Sequence, residues 1–263
     1  MKHSYAVVTG ASSGIGKEFA KRLAEEGYSL ILTARRKERL QALADELKEK
    51  GTKCEIIAAD LSVKEECYRF FEQLADKKIG VFINNAGFGD CGKFLETDVE
   101  KELNMIDVNI KAVHLLMKLV LCKMQAQNGG YLLNVASSAG LIPAGPYMAT
   151  YYATKNYVAS LTRAVAQELK ENGSNLYVGA LCPGPVDTEF NDVANVKFRL
   201  SGISVERCVD YALKQMKHKK ILIVPTLTIQ AATTLGRFIP QHLYIRLAGT
   251  QQKKKISGAR TGS

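Results

Sequence analysis

Thr9-Gly10-Ala11-Ser12-Ser13-Gly14-Ile15-Gly16 is the stretch whose reading decides the fold. It follows a short apolar run, Tyr5-Ala6-Val7-Val8. It opens an amphipathic segment, Lys17 to Glu26, with Phe19, Ala20, Leu23 and Ala24 on one face. A strand, a glycine turn and a helix N-terminus in that order form a cradle for an anion, because the first N–H groups of a helix have no partner within it. Gly10 permits the tight turn, Gly14 lets backbone approach a pyrophosphate, and Gly16 lets the helix pack closely on the strand. The spacing is G-x-x-x-G-x-G, where most dinucleotide folds carry G-x-G-x-x-G. A glycine cluster alone marks any turn. Its place between strand and helix signals is what points to a phosphate cradle.

Working outward, strand-like and helix-like segments alternate. Tyr28 to Thr33, Cys54 to Ala59, Val81 to Asn84, Tyr131 to Ala136, Asn175 to Leu181 and Ile221 to Val224 read as strands. Lys37 to Lys50, Val63 to Ala75, Ala149 to Glu171 and Val205 to Lys217 read as helices. So does Val99 to Gln127, with a break near Asp107–Val108. Apolar strands separated by amphipathic helices imply βαβ crossovers and a parallel sheet covered on both faces. The expectation is one doubly wound α/β domain, residues 1–225, with a seven-stranded parallel sheet, followed by an extension over 226–263. Ligands of such a sheet bind outside the carboxyl ends of its strands, so residues just after strands carry the candidates.

Composition sets the outer bounds. The chain has 263 residues, 46% of them hydrophobic, which suits one large domain and excludes intrinsic disorder. No apolar segment precedes the first strand and no run reaches 18 apolar residues, so neither a signal peptide nor a spanning helix is expected. The six cysteines are scattered without C-x-x-C, as for reduced thiols in a cytoplasmic protein. The four histidines lack metal-ligand spacing, and His114, among apolar neighbours, reads as a packed helix residue; no metal is expected. Charge is unevenly placed. Residues 1–192 carry 23 lysines and arginines against 24 acidic residues, whereas 193–263 carry 13 against two. A basic end suits an anionic partner: a membrane surface, an acidic acyl carrier or a nucleotide-bearing thioester. Nucleic acid fits poorly, for want of a recognised motif or interleaved aromatics. From Lys253-Lys254-Lys255 onward the plainer reading is a solvated tail.

Chemistry-bearing residues fall where the fold expects them. Ala34-Arg35-Arg36 follows the second strand, where sites for NAD usually place an acid for the ribose 2′-hydroxyl. Two guanidinium groups suit a 2′-phosphate instead. Asp60-Leu61 follows the third strand. Asp60 is either an acceptor for an adenine amino group or a helix cap. Asn84-Asn85-Ala86-Gly87 follows the fourth, with small residues that let backbone lie against a ligand. Ser137-Ser138 follows the fifth, and Tyr151 stands thirteen residues beyond Ser138. Tyr151 and Lys155, four apart, share a helix face. A neighbouring ammonium is expected to favour the phenolate and bring the phenol's pKa down. Ser138 is then positioned to polarise a substrate oxygen while Tyr151 moves a proton to or from it.

Taken together, these residues resemble the short-chain dehydrogenase/reductase family over residues 5 to about 190. The matching features are the glycine turn at 9–16, Asp60, N-N-A-G at 84–87, Asn109 in Val108-Asn109-Ile110, Ser138, Tyr151, Lys155 and Pro183-Gly184. The resemblance implies a catalytic set of Asn109, Ser138, Tyr151 and Lys155, in which Asn109 breaks the long helix and holds a water that links Lys155 to solvent. It implies a nicotinamide dinucleotide held by Gly10, Ser12, Ser13, Gly14, Ile15, Gly16, Asp60, Leu61, Asn85, Ala86, Gly87, Tyr151 and Lys155. The loop Pro183, Gly184, Val186 and Thr188 would touch it too. The A-R-R turn resembles the NADP-preferring branch, with Ser12 and Arg35 nearest the 2′-phosphate and Arg36 beside them. A homodimer or homotetramer is also implied.

The substrate is less legible. A specificity lid is expected over about 189–204, lined by Phe190, Val193, Val196 and Phe198. The extension carries an apolar stripe, Leu227, Ile229, Leu235, Phe238, Ile239, Leu243, Ile245 and Leu247, interspersed with Arg237, His242 and Arg246. It resembles the corresponding region of hydroxysteroid dehydrogenases and long-chain 3-oxoacyl reductases. Core packing or a subunit contact explains such a stripe more often than a membrane does. The leading expectation is an NADP(H)-dependent oxidoreductase for a bulky hydrophobic ketone or alcohol. A 3-oxoacyl thioester reductase is the alternative. A non-catalytic NADP-binding scaffold is the competing class, and nothing structural would require such a protein to keep the whole Asn–Ser–Tyr–Lys set.

Overall fold

The computed structural model describes residues 4–190, 194 and 202–257. Its strands are β1 (Tyr5–Thr9), β2 (Ser29–Ala34), β3 (Cys54–Ala58), β4 (Ile79–Asn84), β5 (Gly130–Val135), β6 (Leu176–Leu181) and β7 (Leu222–Ile223). They form one parallel sheet in the order β3-β2-β1-β4-β5-β6-β7. The order reverses between β1 and β4, and a crevice opens at that switch point beyond the strands' carboxyl ends. The helices are α1 (Gly14–Glu25), α2 (Lys37–Glu49), α3 (Lys64–Glu72), α4 (Val99–Ile106), α5 (Val113–Ala126), α6 (Ala149–Glu171), α7 (Val205–Lys217), α8 (Leu227–Leu235) and α9 (Gln241–Ser257).

Side chains alternate across the sheet, so each strand feeds two cores. Ala6, Val8, Leu30 and Leu32 point toward α1, α2 and α7, where they meet Phe19, Leu23, Leu40, Leu43, Val209 and Leu213. Val7, Ile31 and Phe82 point the other way, toward Phe70 of α3 and Leu116 and Val120 of α5. Between β4 and β5 a polar thread crosses the second layer. The Asn84 amide donates to Asn134 Oδ1 (3.1 Å) and to the Val113 carbonyl (3.0 Å), and the Asn134 amide donates to Thr162 Oγ1 (2.9 Å). Every member is buried and hydrogen-bonded, which fixes the relative height of the two strands and of α5 and α6 beneath the crevice.

The long helix read over 99–127 is interrupted where its sequence suggested. Asp107–Ala112 forms a π-helical turn between α4 and α5. Such turns widen a helix locally and collect at functional sites. The extension differs more from its reading. It forms two helices, and the basic run that read as a solvated tail belongs to the last of them, which continues to Ser257. Within the chain, Ile229 packs on the core and Ile245 is half-buried, but Leu227, Leu235, Phe238, Leu243 and Leu247 are exposed. Intramolecular packing therefore accounts for only part of the stripe. Val193, Val196 and Phe198 of the expected lid lie outside the described residues.

Candidate active site

The glycine turn is built as a receptor for an anion. Gly10 and Gly14 both have positive φ (65° and 52°), a conformation that favours glycine. A Cβ on Gly16 would stand on the Gly10 carbonyl, which is the close helix–strand approach its position predicts. Asn85 pins this turn from the neighbouring strand end. Its amide donates to the Thr9 carbonyl (2.9 Å) and the Gly10 carbonyl (3.3 Å), while the Asn85 and Ala86 backbones both donate to Thr9 Oγ1 (2.8 and 2.9 Å). The start of α1 has no side-chain cap at Ser13 and no acid in its first turn. Its N–H groups and positive dipole end are left for a ligand. Thr188 faces this helix start, with its methyl 3.2 Å from where a Gly14 Cβ would lie. The residues present therefore fit a pyrophosphate.

The basic turn differs in detail from its reading. Arg36, rather than Arg35, reaches back over the turn. Its Nη2 donates to Ser12 Oγ (3.1 Å) and Ser13 Oγ (2.9 Å). Arg35 is exposed. Arg39, one turn into α2, joins the cluster through a carboxylate, Glu189, that sequence reading placed only at the edge of the lid. Asp60 spends one carboxylate oxygen on the Ser62 backbone (3.0 Å) and hydroxyl (2.8 Å), ordering the turn into α3. Leu61 beside it is buried. His114 is exposed rather than packed, with Nδ1 2.7 Å from the Tyr157 hydroxyl. Among the described residues no cluster suits a metal ion, and all six cysteines are free thiols.

Tyr151 and Lys155 lie on the buried face of α6, at 8% and 5% exposure. Lys155 Nζ donates to the Val135 carbonyl (3.0 Å) and stands 5.8 Å from the Tyr151 ring centroid. Asn109, in the π-helical turn, is fully buried. Its amide donates to the Phe88 carbonyl (2.8 Å) and Thr154 Oγ1 (3.1 Å), and its Oδ1 accepts from the Phe88 backbone (3.1 Å). Gly87 makes room for all of this. A Cβ there would lie 2.8 Å from Asn109 Oδ1 and 3.3 Å from Lys155 Nζ. Asn109 and Lys155 thus converge beside Gly87 just past β4, and Tyr151 lies against Gly89 two residues on.

Of the serine pair, the Ser137 hydroxyl acts on the Tyr151 phenol. Ser137 is still extended (φ −175°, ψ 162°), whereas Ser138 begins a 3-10 turn, Ser138–Leu141. The backbone N–H of Ser138 is tied to the Pro183 carbonyl (2.8 Å), which links this loop to the Pro183–Thr188 loop. The chain leaves its strand direction between the two serines, and a count of residues to Tyr151 cannot register that bend.

The electrostatics also differ from expectation. Burial pushes the Tyr151 phenol up, opposed by the Ser137 hydroxyl. Burial pulls Lys155 down to about 8. At 5.8 Å from the ring centroid the ammonium does not offset the desolvation of the phenol, so the resting site holds a protonated tyrosine. Apolar groups surround it. Phe190 packs on Tyr151 (centroids 5.5 Å apart), and Phe88, Cys91, Ile142, Met148 and Tyr152 complete the cluster. From α9, Gln252 Nε2 reaches the Tyr152 hydroxyl (2.6 Å). Gln252 was not singled out by the sequence, and Ser137 was named there only as the first of the serine pair, with the role given to Ser138.

A family model described as short chain dehydrogenase matches residues 4–197. A very-long-chain 3-oxoacyl-CoA reductase of Anas platyrhynchos is 35% identical over 201 residues, covering 74% of this chain and 64% of that protein. A short-chain dehydrogenase from Sphingobium yanoikuyae, solved in complex with NADPH, superposes with a TM-score of 0.82 at 32% identity, over 91% of this chain and 94% of that one. A bulky-bulky ketone specific alcohol dehydrogenase from Comamonas testosteroni superposes with a TM-score of 0.77 at 29% identity, over 92% and 96%.

Proposed function

Because this chain belongs to the short-chain dehydrogenase family and is on that ground an NAD(P)-dependent oxidoreductase, we propose that it interconverts a ketone and a secondary alcohol on a bulky hydrophobic molecule, with NADP(H) as the redox partner. The observation that carries this reading is a buried proton donor, Tyr151, walled by Phe88, Ile142, Met148 and Phe190. Gly10–Gly16, Asn85–Gly87, Val186 and Thr188 would hold the dinucleotide, which would supply or take up the hydride when bound. Tyr151 gives its phenolic proton to the carbonyl oxygen during reduction. Ser137 hydrogen-bonds the same oxygen, where negative charge develops. Lys155 and Asn109 hold the proton path on the far side of the phenol. Arg36 and Ser12 meet the 2′-phosphate, and the Sphingobium relative that binds NADPH supports that choice.

A second reading, reduction of a 3-oxoacyl thioester, is favoured by the Anas relative. Both readings place a lipid-like molecule in the site. The exposed, cation-bearing α8–α9 hairpin then serves as a contact with an anionic lipid surface, and among the described residues no helix is long and apolar enough to span a membrane. Phe94, Leu95, Val99 and Leu103, all exposed around the start of α4, offer a surface for self-association.

The test is NADPH oxidation followed by absorbance with steroid ketones, diaryl ketones and 3-oxoacyl thioesters. Turnover of the ketones, abolished in Tyr151→Phe with cofactor affinity retained, is the expected result. Thioester turnover alone selects the second reading. No turnover of any substrate, with NADPH still bound, leaves the scaffold alternative.

A further inference from the structure

Glu189 sits where the proposed function puts the 2′-phosphate. Its carboxylate accepts from Arg39 Nη1 at 2.7 and 2.8 Å and from Arg36 Nη1 at 3.2 Å. The same Arg36 donates through Nη2 to the hydroxyls of Ser12 and Ser13 in the glycine turn. One carboxylate, two guanidinium groups and two hydroxyls therefore converge above the start of α1, and the anion in the cluster comes from the other side of the crevice, just past Thr188. Sequence reading noted that no acid follows β2 to take a ribose 2′-hydroxyl. The fold brings one there from the end of the Pro183–Thr188 loop.

We infer that Glu189 is a cofactor-selectivity residue: it competes with the NADP 2′-phosphate for Arg36 and Arg39, and so narrows the preference for NADP over NAD. This rests on the assignment of Arg36 to the 2′-phosphate. The physical reason is charge. A phosphate monoester carries nearly two negative charges and needs the guanidinium forks that Glu189 holds. A carboxylate and a phosphate cannot share them without like-charge repulsion. A ribose 2′-hydroxyl, by contrast, carries no charge, can donate to the carboxylate and leaves both ion pairs in place. The two pairs are about half exposed, so the competition is modest.

The experiment is titration of the whole protein with NADP+ and with NAD+, for wild type, Glu189→Gln, Arg39→Gln, Arg36→Gln and the Glu189→Gln/Arg39→Gln double variant. Glu189→Gln is expected to tighten NADP+ by about three- to tenfold and to change NAD+ by less than about twofold. Arg39→Gln is expected to weaken NADP+, and the double variant to lose most of the gain. A purely structural role for Glu189 would move both cofactors in the same direction, and that result overturns the inference. So does an unchanged NADP+/NAD+ ratio in Glu189→Gln while Arg36→Gln still loses NADP+ selectively. If Arg36→Gln and Arg39→Gln both bind NADP+ as tightly as wild type, the 2′-phosphate assignment itself has failed.

Discussion

At the scale of single residues, two neighbouring serines separate what spacing gives from what backbone direction decides. Thirteen residues to Tyr151 selects Ser138, whereas Ser137 continues the extended path of β5 and acts on the phenol. Ser137→Ala is expected to lower kcat for carbonyl reduction by about 100-fold, the usual effect of removing one donor from a developing oxyanion. Ser138→Ala is expected to stay within about threefold. Steady-state rates of the two variants decide the assignment, and the reverse ranking restores Ser138. Protonation is the second test. Reduction needs the phenol protonated and the ammonium behind it charged, and burial brings Lys155 down to about 8. The reductive kcat/KM is therefore level at pH 6–7 and falls as pH rises through about 8, where Lys155 loses its proton. Alcohol oxidation, which needs the phenol to accept a proton, runs the opposite way. A reductive profile flat to pH 10 contradicts this account. The glycines, Tyr151 and Lys155 were legible from local chain geometry, a turn and a helix face, whereas Asn109 came from the family resemblance. The bonds from Arg36 to Ser12 and Ser13 and the reach of Glu189 to Arg36 and Arg39 were not legible, because they depend on the direction of a side chain leaving a loop.

At the scale of elements, periodicity found the seven strands and the helices α1 to α7 among the described residues, with ends displaced by a few residues. The signal was strong there because each strand is apolar on both faces and each helix on one. It failed in the extension, where apolar residues fall on both faces of a helix and Thr226 makes no side-chain cap at the start of α8. The buried stripe of α9 is small and partly polar. Ala248 is buried, Gly249 lies against Pro146, with 3.0 Å from a would-be Cβ to the ring, and Gln252 is 3% exposed. The docking of this helix turns on the bond from Gln252 Nε2 to the Tyr152 hydroxyl (2.6 Å), while the buried Gln252 Oε1 has no partner among the described residues. Gln252→Leu removes a bond worth about 1–2 kcal/mol and leaves the Tyr152 hydroxyl without its donor. The expected result is a Tm lower by about 3–6 °C. KM for bulky substrates is expected to rise, with kcat for small ketones nearly kept, since Tyr152 adjoins Tyr151 but does not move its proton. A fall in kcat for all substrates alike, at unchanged Tm, would place Gln252 in the chemistry instead.

At the scale of the whole molecule, charge and apolar exposure meet in one place. Residues 226–263 contain six lysines and arginines and no acidic residue. Of these, Arg237, Arg246 and Lys253 lie on the α8–α9 segment that also exposes Leu227 (81%), Leu235 (64%), Phe238 (84%) and Leu247 (56%). Such a surface has two physical uses. Pairing with a second copy across a two-fold axis would bring Arg237 and Arg246 toward their own counterparts with no acid in the segment to offset them, which opposes a self-complementary contact. An anionic bilayer offers the opposite charge and an apolar layer at the depth of the leucines. Each basic side chain near such a surface contributes about 1 kcal/mol, lost beyond a Debye length and weakened by salt, and a few together give reversible attachment. The check is co-sedimentation with vesicles of phosphatidylcholine alone and with phosphatidylserine added, at 50 mM and 500 mM salt, for wild type and for Phe238→Asp/Leu235→Asp. Wild type is expected to pellet with the anionic vesicles at low salt, to be released at high salt, and to remain soluble with the neutral ones, and the double variant is expected to stay in solution throughout. Failure to bind anionic vesicles at low salt, or equal binding to both vesicle types regardless of salt, rules out the lipid contact. Conversion of an oligomer to a monomer by the same double variant, followed by light scattering, assigns the surface to a subunit interface.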